Sequence, residues 1–119
     1  MSKTHIITHK DGITKIKFLV KPSLDQAKLI IDEIVENYPY DKRLWDLSEV
    51  DFDFSTAEIR VIAEYGKVKF TKPGKLAVYA IKDLAFGEMR QFEVYREEEN
   101  KLLPKVFRDE QSAIDWLNA

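Results

Sequence analysis

The 119-residue sequence contains no cysteine. This absence excludes disulfides, thiolate metal ligands and a cysteine nucleophile from the chemistry of the chain. A strong charge of either sign is absent as well, because 19 basic and 21 acidic side chains leave a formal net charge of −2. Such a small excess creates no field that gathers nucleic acid irrespective of its sequence, and we expect no nucleic-acid partner.

Long apolar runs are also missing. No segment approaches the roughly 20 consecutive apolar residues that span a bilayer, and the opening MSKTHIITHKDG lacks the apolar core of a signal peptide. The composition that is present, 45% apolar and 34% charged, is ordinary for a globular protein. We therefore expect a cytoplasmic protein without a membrane span, folded as a single domain over residues 1–119.

Hydrophobic periodicity predicts an α/β fold. Two β-branched segments flank Asp11-Gly12, a pair that suits a two-residue hairpin turn. Helical and strand patterns then alternate in the order β-β-α-β-α-β-α-β-α, which implies right-handed crossovers and a mixed, mostly parallel sheet of about five strands with four helices. The predicted strands lie at 5–9, 13–20, 44–47, 75–81 and 105–107, and the predicted helices begin at Ser23, Ser55, Asp83 and Asp109.

Two of the predicted helices begin with a capping box, a serine followed three residues later by Glu or Gln. The first lies in PSLDQ, and the second pairs Ser55 with Glu58. Phe54 and Ile59 occupy the positions of a hydrophobic staple around the second box. An N-cap hydroxyl is worth about 1 kcal/mol, so a structural role already accounts for Ser55.

The stretch GKVKFTKPGK, residues 66–75, is predicted to end the second helix and carries four lysines, at positions 67, 69, 72 and 75. Lysines in a loop could attract a phosphate headgroup or an anionic membrane. Because they are interleaved with apolar residues in a slightly acidic chain, we favour a solvated collar around the strand that follows.

The two histidines raise the question of a metal site. On one strand His5 and His9 share a face but lie about 13 Å apart, at roughly 3.3 Å per residue. Zinc–nitrogen bonds of about 2 Å cannot bridge that distance. We expect no metal and no cofactor.

Four segments resemble the SpoIIAA-like (STAS/SEC14-like) family of small bacterial proteins. They are LWDLSEVDFDFSTAEI, KPGKLAVYA, FGEMRQFEVY and KVFRDEQSAIDWL, and they cover most of the chain from about Leu44 onward. The last is the most specific, an apolar strand followed by Asp109 and the pair Trp116-Leu117. The resemblance implies a STAS-like fold, as in anti-sigma-factor antagonists and the cytoplasmic tails of sulphate transporters.

In the anti-sigma-factor antagonists the serine that heads the matching helix is phosphorylated by a partner kinase, which changes the choice of partner. Ser55 lies at that position, but Phe54 precedes it and Thr56-Ala57 follow it, where that family has an aspartate and a second serine followed by glycine. A phosphate at a helix N-terminus gains from the dipole. Nearby carboxylates, at Asp51, Asp53 and Glu58, would repel it.

The first functional hypothesis is a non-catalytic regulatory or protein-interaction module. Its partner surface would surround the helix that begins at Ser55, as the STAS resemblance implies. We expect Ser55, Thr56, Phe52 and Phe54 to contact an unidentified protein partner. Folding alone seldom explains two aromatic residues in a surface loop. The same exposed rings are compatible with a homodimer.

The alternative is a small lipid-like apolar ligand, held between the sheet and the third helix as the SEC14 part of the resemblance implies. Phe86, Gly87, Met89 and Phe92 are the candidate pocket residues. A glycine inside a helix costs about 1 kcal/mol relative to alanine, so Gly87 favours either close helix–sheet packing or a ligand against the backbone. No Ser-His-Asp set, glycine-rich phosphate loop or H-E-x-x-H motif occurs, and we do not expect an enzyme.

Overall fold

The computed structural model describes residues 4–51, 54–70, 72–96 and 102–119. These residues form an α/β fold of five strands and four helices in the predicted order. The elements are β1 (His5–Lys10), β2 (Ile13–Phe18), α1 (Leu24–Asn37), β3 (Lys42–Asp46), α2 (Thr56–Lys69), β4 (Gly74–Tyr79), α3 (Asp83–Arg96), β5 (Leu102–Phe107) and α4 (Glu110–Asn118).

The sheet has the strand order β1-β2-β3-β4-β5, which is also the order along the chain. β1 runs antiparallel to β2, and the other neighbouring pairs are parallel. Asp11 and Gly12 join β1 to β2 with positive φ angles of 53° and 80°, the conformation that a tight hairpin turn requires. The predicted hairpin and the mixed, mostly parallel sheet are confirmed.

Helices cover both faces of the sheet. The larger core joins one face to α1, α2 and α3 and includes Ile16, Trp45 and Val78, which lie side by side on neighbouring strands. On the other face Leu44 and Ala77 contact the α4 residues that complete the smaller core, Ala113 and Leu117. β4 is thus apolar on both faces because it is covered on both, as its sequence predicts.

Several predicted boundaries differ in the structure, two of them by three residues. α2 does not end at Gly66 but continues to Lys69, and the Phe70 N–H donates to the Gly66 carbonyl at 2.9 Å. Gly66 is buried at helical spacing from Ile62, so its helix-weakening effect is offset by packing. β5 begins at Leu102, before Pro104, because an edge strand tolerates a residue that cannot donate a backbone hydrogen bond.

Candidate functional site

Ser55 heads α2 in the predicted capping box. Its Oγ accepts a hydrogen bond from the Glu58 N–H at 3.2 Å, and the Ser55 N–H donates to Glu58 Oε1 at 3.0 Å. Ser23 and Gln26 make the same two bonds at the start of α1, at 3.1 and 2.9 Å. The Ser55 side chain is nevertheless exposed, so the hydroxyl that caps the helix is also accessible from solvent.

Phe54 lies in the core instead of on the surface. Its side chain is 2% exposed and belongs to the same core cluster as Ile59, as a hydrophobic staple requires. Packing therefore explains this ring, and the expectation that it is exposed to a partner is corrected. Phe52, the other aromatic residue expected to contact a partner, lies outside the described residues.

Thr56 lies on the exposed side of the α2 N-terminus, where α2 meets α3. Its Oγ1 donates to Gln91 Oε1 at 3.2 Å. One turn further along, the Arg60 guanidinium lies 4.9 Å from the centre of the Tyr95 ring and donates to its hydroxyl at 3.5 Å. These contacts connect the two helices and leave the neighbouring face of α2 open.

That open face carries an apolar stripe, which we call the α2 face: Ala57, Val61, Tyr65 and Val68. Val61 is 40% exposed and Val68 is 73% exposed. With Lys28 of α1 the four residues line a shallow groove. The sequence prediction overlooked both valines, although they stand out as large apolar residues that do not belong to the buried stripe of α2.

Charged side chains border the α2 face. Lys28 Nζ lies 5.6 Å from the centre of the Tyr65 ring, and Arg60 lies on the side towards α3. Glu64 also lines the groove, but its carboxylate is 3.7 Å from Lys67 Nζ. A second carboxylate, Asp32, accepts a hydrogen bond from the Tyr65 hydroxyl at 2.6 Å and lies 3.5 Å from Lys69 Nζ. The border is therefore positive overall, because each of these two carboxylates has a lysine beside it.

The residues predicted to form a pocket at the third helix are divided between core and surface. Met89 and Phe92 are buried, and the Phe92 ring packs against Trp45 with centroids 5.1 Å apart. Phe86 is half-buried beneath the Arg108 guanidinium, 3.9 Å from its ring centre. Gly87 is exposed, and a Cβ there would meet no atom within 4 Å, so close helix–sheet packing does not explain it.

Phe92 does line a cavity beneath α2, but that cavity measures only about 10 Å³. This is about the volume that one water molecule needs. The structure therefore brings Phe86, Met89 and Phe92 into one hydrophobic cluster.

A polar cluster occupies the carboxyl edge of the parallel strands. Lys15 Nζ lies 2.8 Å from Glu110 Oε2 and 3.6 Å from Asp46 Oδ2. Asp46 is 3% exposed, and its Oδ1 accepts hydrogen bonds from the Ser48 N–H at 2.9 Å and from the Ser48 hydroxyl at 2.6 Å. Burial raises the pKa of the Tyr79 hydroxyl, and the carboxylates of Asp46 and Glu110 raise it further.

Lys15 remains a cation within this cluster. Burial is the largest single influence on its pKa and lowers it. The hydrogen bond that Lys15 donates to Glu110 and the charges of Glu110 and Asp46 together outweigh burial, and the pKa of Lys15 lies above its ordinary value. The cluster is a closed set of ion pairs in which each charge has an opposite charge beside it.

A cleft of about 280 Å³ opens at the opposite end of the strands, and we call it the amino-edge cleft. Arg43, only 4% exposed, stacks its guanidinium on Phe70, 3.9 Å from the ring centre. At the other side the Tyr40 ring stacks on His9, with centroids 3.9 Å apart. The lining residues are Val35, Pro39, Tyr40, Asp41, Arg43, Lys69, Phe70, Lys72 and Pro73.

Gly74 is necessary for the wall of this cleft. A Cβ at that position would lie 2.6 Å from the Asp41 carbonyl oxygen and 3.1 Å from Arg43 Nη2. Without a side chain there, the Lys75 N–H can donate to the Asp41 carbonyl at 2.8 Å and join the starts of β3 and β4. The glycine therefore provides the space in which the Arg43 guanidinium lies.

The four lysines of residues 66–75 do not form the predicted loop collar. Lys67 and Lys69 belong to α2, and Lys75 lies in β4, where its Nζ donates to the carbonyls of Trp116 and Ala119 at 3.0 Å each. Lys69 and Lys72 line the amino-edge cleft. The charge of Asp32, 3.5 Å from Lys69 Nζ, raises the pKa of Lys69.

The histidines have separate partners. His5 Nε2 lies 3.1 Å from Glu33 Oε1, and His9 Nδ1 lies 2.9 Å from Thr14 Oγ1. Across residues 4–51, 54–70, 72–96 and 102–119, no group of three or more His, Cys, Asp or Glu side chains is arranged to hold a metal. No helix in these ranges is long and apolar enough to cross a membrane.

No family model matches the chain, and no curated protein matches it. We therefore infer a function from the geometry of the α2 face, together with the resemblance of the four sequence segments.

Proposed function

We propose that this chain is a non-catalytic protein-interaction module of the STAS, SpoIIAA-like type, and that the α2 face is its partner surface. The observation that carries the proposal is the exposure of Val61 and Val68 on the helix that Ser55 heads. The buried stripe of α2 already anchors the helix through Ile59 and Ile62. Scattered single apolar residues need no explanation, but neighbouring ones along a groove are typical of a contact surface.

The partner that fits this surface is an amphipathic helix with acidic residues beside its apolar stripe. The groove between α1 and α2 has the elongated form in which such a helix docks. Lys28 and Arg60 at its border provide positive charge, while Lys67 lies beside the Glu64 carboxylate. Complementary charge of this kind selects the partner and speeds its association.

The position of Ser55 supports the regulatory part of the proposal. Its hydroxyl is exposed at the start of α2, the helix that carries the proposed partner surface. A phosphate there would add a charge of about −2 at neutral pH, and it would compete with Glu58 for the backbone donors of this turn. An acidic partner would then be repelled, so modification of Ser55 would release it.

Single valine variants test the partner surface. Val68→Asp places a carboxylate on the α2 face, and Val94→Asp is the matched control, because Val94 lies on α3 and is also 73% exposed. We expect partner capture by the wild-type chain and by Val94→Asp, and loss of capture by Val68→Asp with an unchanged circular dichroism spectrum. A photo-cross-linking residue at position 68, but not at 94, should join the partner covalently.

Equal capture by all three chains would contradict this surface. Absence of any partner that cross-links specifically to position 68 would contradict the interaction function itself.

Carriage of a lipid-like ligand between the sheet and α3 is the second candidate. It would require the packing around Phe92 to open, because the cavity that this ring lines measures about 10 Å³. Native mass spectrometry of the purified chain tests it directly. A bound lipid would appear as added mass, and a Phe92→Trp variant, which fills the cavity, should lose it.

A further inference from the structure

The two edge strands of the sheet, β1 and β5, differ in how their backbone groups are satisfied. Each edge strand directs alternate N–H and C=O groups away from the sheet, where another strand could pair with them. We propose that β1 pairs with β1 of a second copy of this chain, antiparallel and about a two-fold axis at Ile7. This edge is distinct from the α2 face, which carries the proposed partner surface.

The edge of β5 is closed to a further strand. The Phe107 carbonyl accepts the Ala80 N–H at 2.9 Å and so faces β4, which leaves Val106 and Pro104 facing outwards. Pro104 has no N–H to donate, and the Val106 N–H already donates to Glu93 Oε2 at 3.2 Å. Proline and charged side chains are devices by which edge strands avoid pairing with another chain.

The edge of β1 has no comparable protection. The Leu19 N–H donates to the Thr4 carbonyl at 3.0 Å, so Thr4 and every second residue after it direct their backbone groups towards β2. His5, Ile7 and His9 therefore direct theirs away from the sheet. In the part of the chain that the structure describes, no group forms a hydrogen bond with these outward N–H and C=O groups.

A second copy of β1 satisfies all three residues at once. With the two Ile7 residues opposite each other, His5 of each copy lies opposite His9 of the other. The outward N–H and C=O groups of these residues then form the alternating hydrogen bonds of an antiparallel ladder. The contact is isologous, because the same strand segment serves on both copies and the assembly closes as a dimer.

The charges along β1 favour this antiparallel register. Lys10, the only Lys, Arg, Asp or Glu of the strand, lies opposite Thr4 of the second copy. A parallel pairing of two β1 strands in register would place the two Lys10 side chains together, and like charges at opposite positions are destabilising. Glu33 Oε1 lies 3.1 Å from His5 Nε2, and the second copy adds the imidazole of His9 beside this carboxylate.

The apolar side chains of β1 also suit this register. Ile7 packs against the larger core, so the pairing continues that core through Ile7 of the second copy. Ile6 lies on the opposite face of the sheet and is 40% exposed. It would lie opposite Thr8 of the second copy, and β-branched side chains pack well across neighbouring strands.

Amide hydrogen exchange tests the contact residue by residue. The full isotope-labelled chain is compared by NMR at low micromolar and near-millimolar concentration, and sedimentation equilibrium gives its mass under the same conditions. Ile6 and Thr8 donate to β2 and should be protected from exchange at both concentrations. We expect protection of His5, Ile7 and His9 only at the concentration where the chain is a dimer.

Paired substitutions test the register itself. Ile6 and Thr8 are both exposed, so charged residues there leave the core intact. Ile6→Lys with Thr8→Lys places lysines opposite lysines across the axis, whereas Ile6→Lys with Thr8→Glu places opposite charges there. The control is Leu84→Lys with Val94→Lys, which adds the same charge at exposed apolar positions of α3.

We expect the wild type and the control to dimerise equally. The variant with two lysines should dimerise at least about tenfold more weakly, because two like-charge pairs form across the axis. The variant with lysine and glutamate should recover the affinity of the wild type to within a few-fold. Damage to the fold cannot produce that recovery, and Val68→Asp on the α2 face should leave the dimer unchanged.

Four results would overturn the proposal. The first is a chain that sediments as a monomer at every concentration. The second is a dimer that the two β1 variants weaken equally, or that neither weakens. The third is a dimer that Val68→Asp dissociates, which would assign the contact to the α2 face. The fourth is a monomer in which the amides of His5, Ile7 and His9 are protected only after another protein is added, which would assign the edge to a foreign strand.

Discussion

The two edges of the parallel strands differ in how their side chains are used. At the carboxyl edge, opposite charges on neighbouring segments pair with each other. These pairs are Lys15–Asp46, Lys15–Glu110, Lys17–Glu49, Lys82–Asp51 and Arg108–Asp83. At the amino edge, by contrast, cations and rings are stacked around open space, as in the contact between Arg43 and Phe70.

The difference reverses the usual arrangement of open α/β sheets. Ligands in such folds usually bind outside the carboxyl ends of the strands, where helix N-termini also gather. Here those helix ends are capped by their own side chains, at Ser23, Ser55 and Asp109. The carboxyl edge thus pairs charges and caps helix ends, whereas the cleft of about 280 Å³ lies at the amino edge.

The largest expected effect comes from the buried charge of the carboxyl edge. Asp46→Ala removes a carboxylate that is 3% exposed and accepts two hydrogen bonds from Ser48. We expect a loss of about 3 kcal/mol in the free energy of unfolding, at the lower end for a broken buried pair because Lys15 keeps Glu110.

Chemical denaturation measures this loss, with Glu49→Ala as the control at the same edge. Glu49 pairs with Lys17 at 3.8 Å but is half exposed, so its removal should cost less than about 1 kcal/mol. Equal losses in the free energy of unfolding for the two variants would show that burial does not make the Asp46 pair more stabilising than the Glu49 pair.

At the amino edge the corresponding test is Gly74→Ala. The new Cβ would lie 2.6 Å from the Asp41 carbonyl oxygen, so β3 or the Arg43 side chain must move. We expect a loss of about 2 kcal/mol in the free energy of unfolding, the usual cost of overpacking.

Gly87→Ala is the matched control for this substitution. Gly87 lies in α3 with open space around it, so alanine should stabilise the chain by about 0.5–1 kcal/mol. The sign of the effect should therefore differ between the two glycines in thermal denaturation. A stabilised Gly74→Ala chain would mean that the close approach at the cleft wall does not exist.

A smaller effect is expected at the α2 cap of the carboxyl edge. Ser55→Ala removes the acceptor of the Glu58 N–H and should cost about 1 kcal/mol. Ser55→Asp should cost much less, because aspartate is also a good N-cap. Urea denaturation measures the stability of the two variants. Ser23→Ala, which removes the equivalent cap of α1, is the reference and should lose about as much stability as Ser55→Ala.

If Ser55→Asp is as stable as the wild type but no longer captures the partner, charge at this position regulates binding independently of folding. An equal loss of stability in Ser55→Asp and Ser55→Ala would show that the N-cap hydrogen bond is not the source of the stability that Ser55 contributes.

Local signals made most of the fold predictable. The turn at Asp11-Gly12 and the caps at Ser23, Ser55 and Asp109 depend on residues within one turn of each other, and the structure has each of them. The end of α2 was not predictable from such signals. Gly66 falls on the inward stripe of α2 but also begins the stretch predicted to end the helix, and its packing in the core allows the helix to continue.

The candidate sites depend on tertiary contacts, which local sequence patterns do not predict. The staple pattern pairs Phe54 with Ile59 in the sequence, but that local pairing does not show that the ring is buried in the main core. Arg43 and Lys72 are far apart in the sequence and reach one cleft only when β3 and β4 pair. Val61 and Val68 could have been found, because they fall outside the buried stripe of their helix.

The smallest expected effect is the pH dependence of stability that results from the α4 cap, Asp109, at the carboxyl edge. The Asp109 carboxylate accepts hydrogen bonds from the N–H of Ser112 and, less strongly, from its hydroxyl, and these lower the pKa of Asp109. As the pH falls, the unfolded chain takes up the proton before the folded chain does. The contribution of the Asp109 carboxylate to the free energy of unfolding is therefore complete above the ordinary pKa of 3.8. It is lost as the pH falls through the lower pKa of the folded chain.

Asp109→Asn separates charge from capping, since asparagine caps as well as aspartate. We expect urea denaturation at a series of acidic pH values to give a shallower loss of stability for Asp109→Asn than for the wild type, with similar stability near neutral pH. Identical slopes of the free energy of unfolding against pH would mean that the cap acts through its hydrogen bonds alone. Charge would then stabilise the carboxyl edge only at its buried pairs.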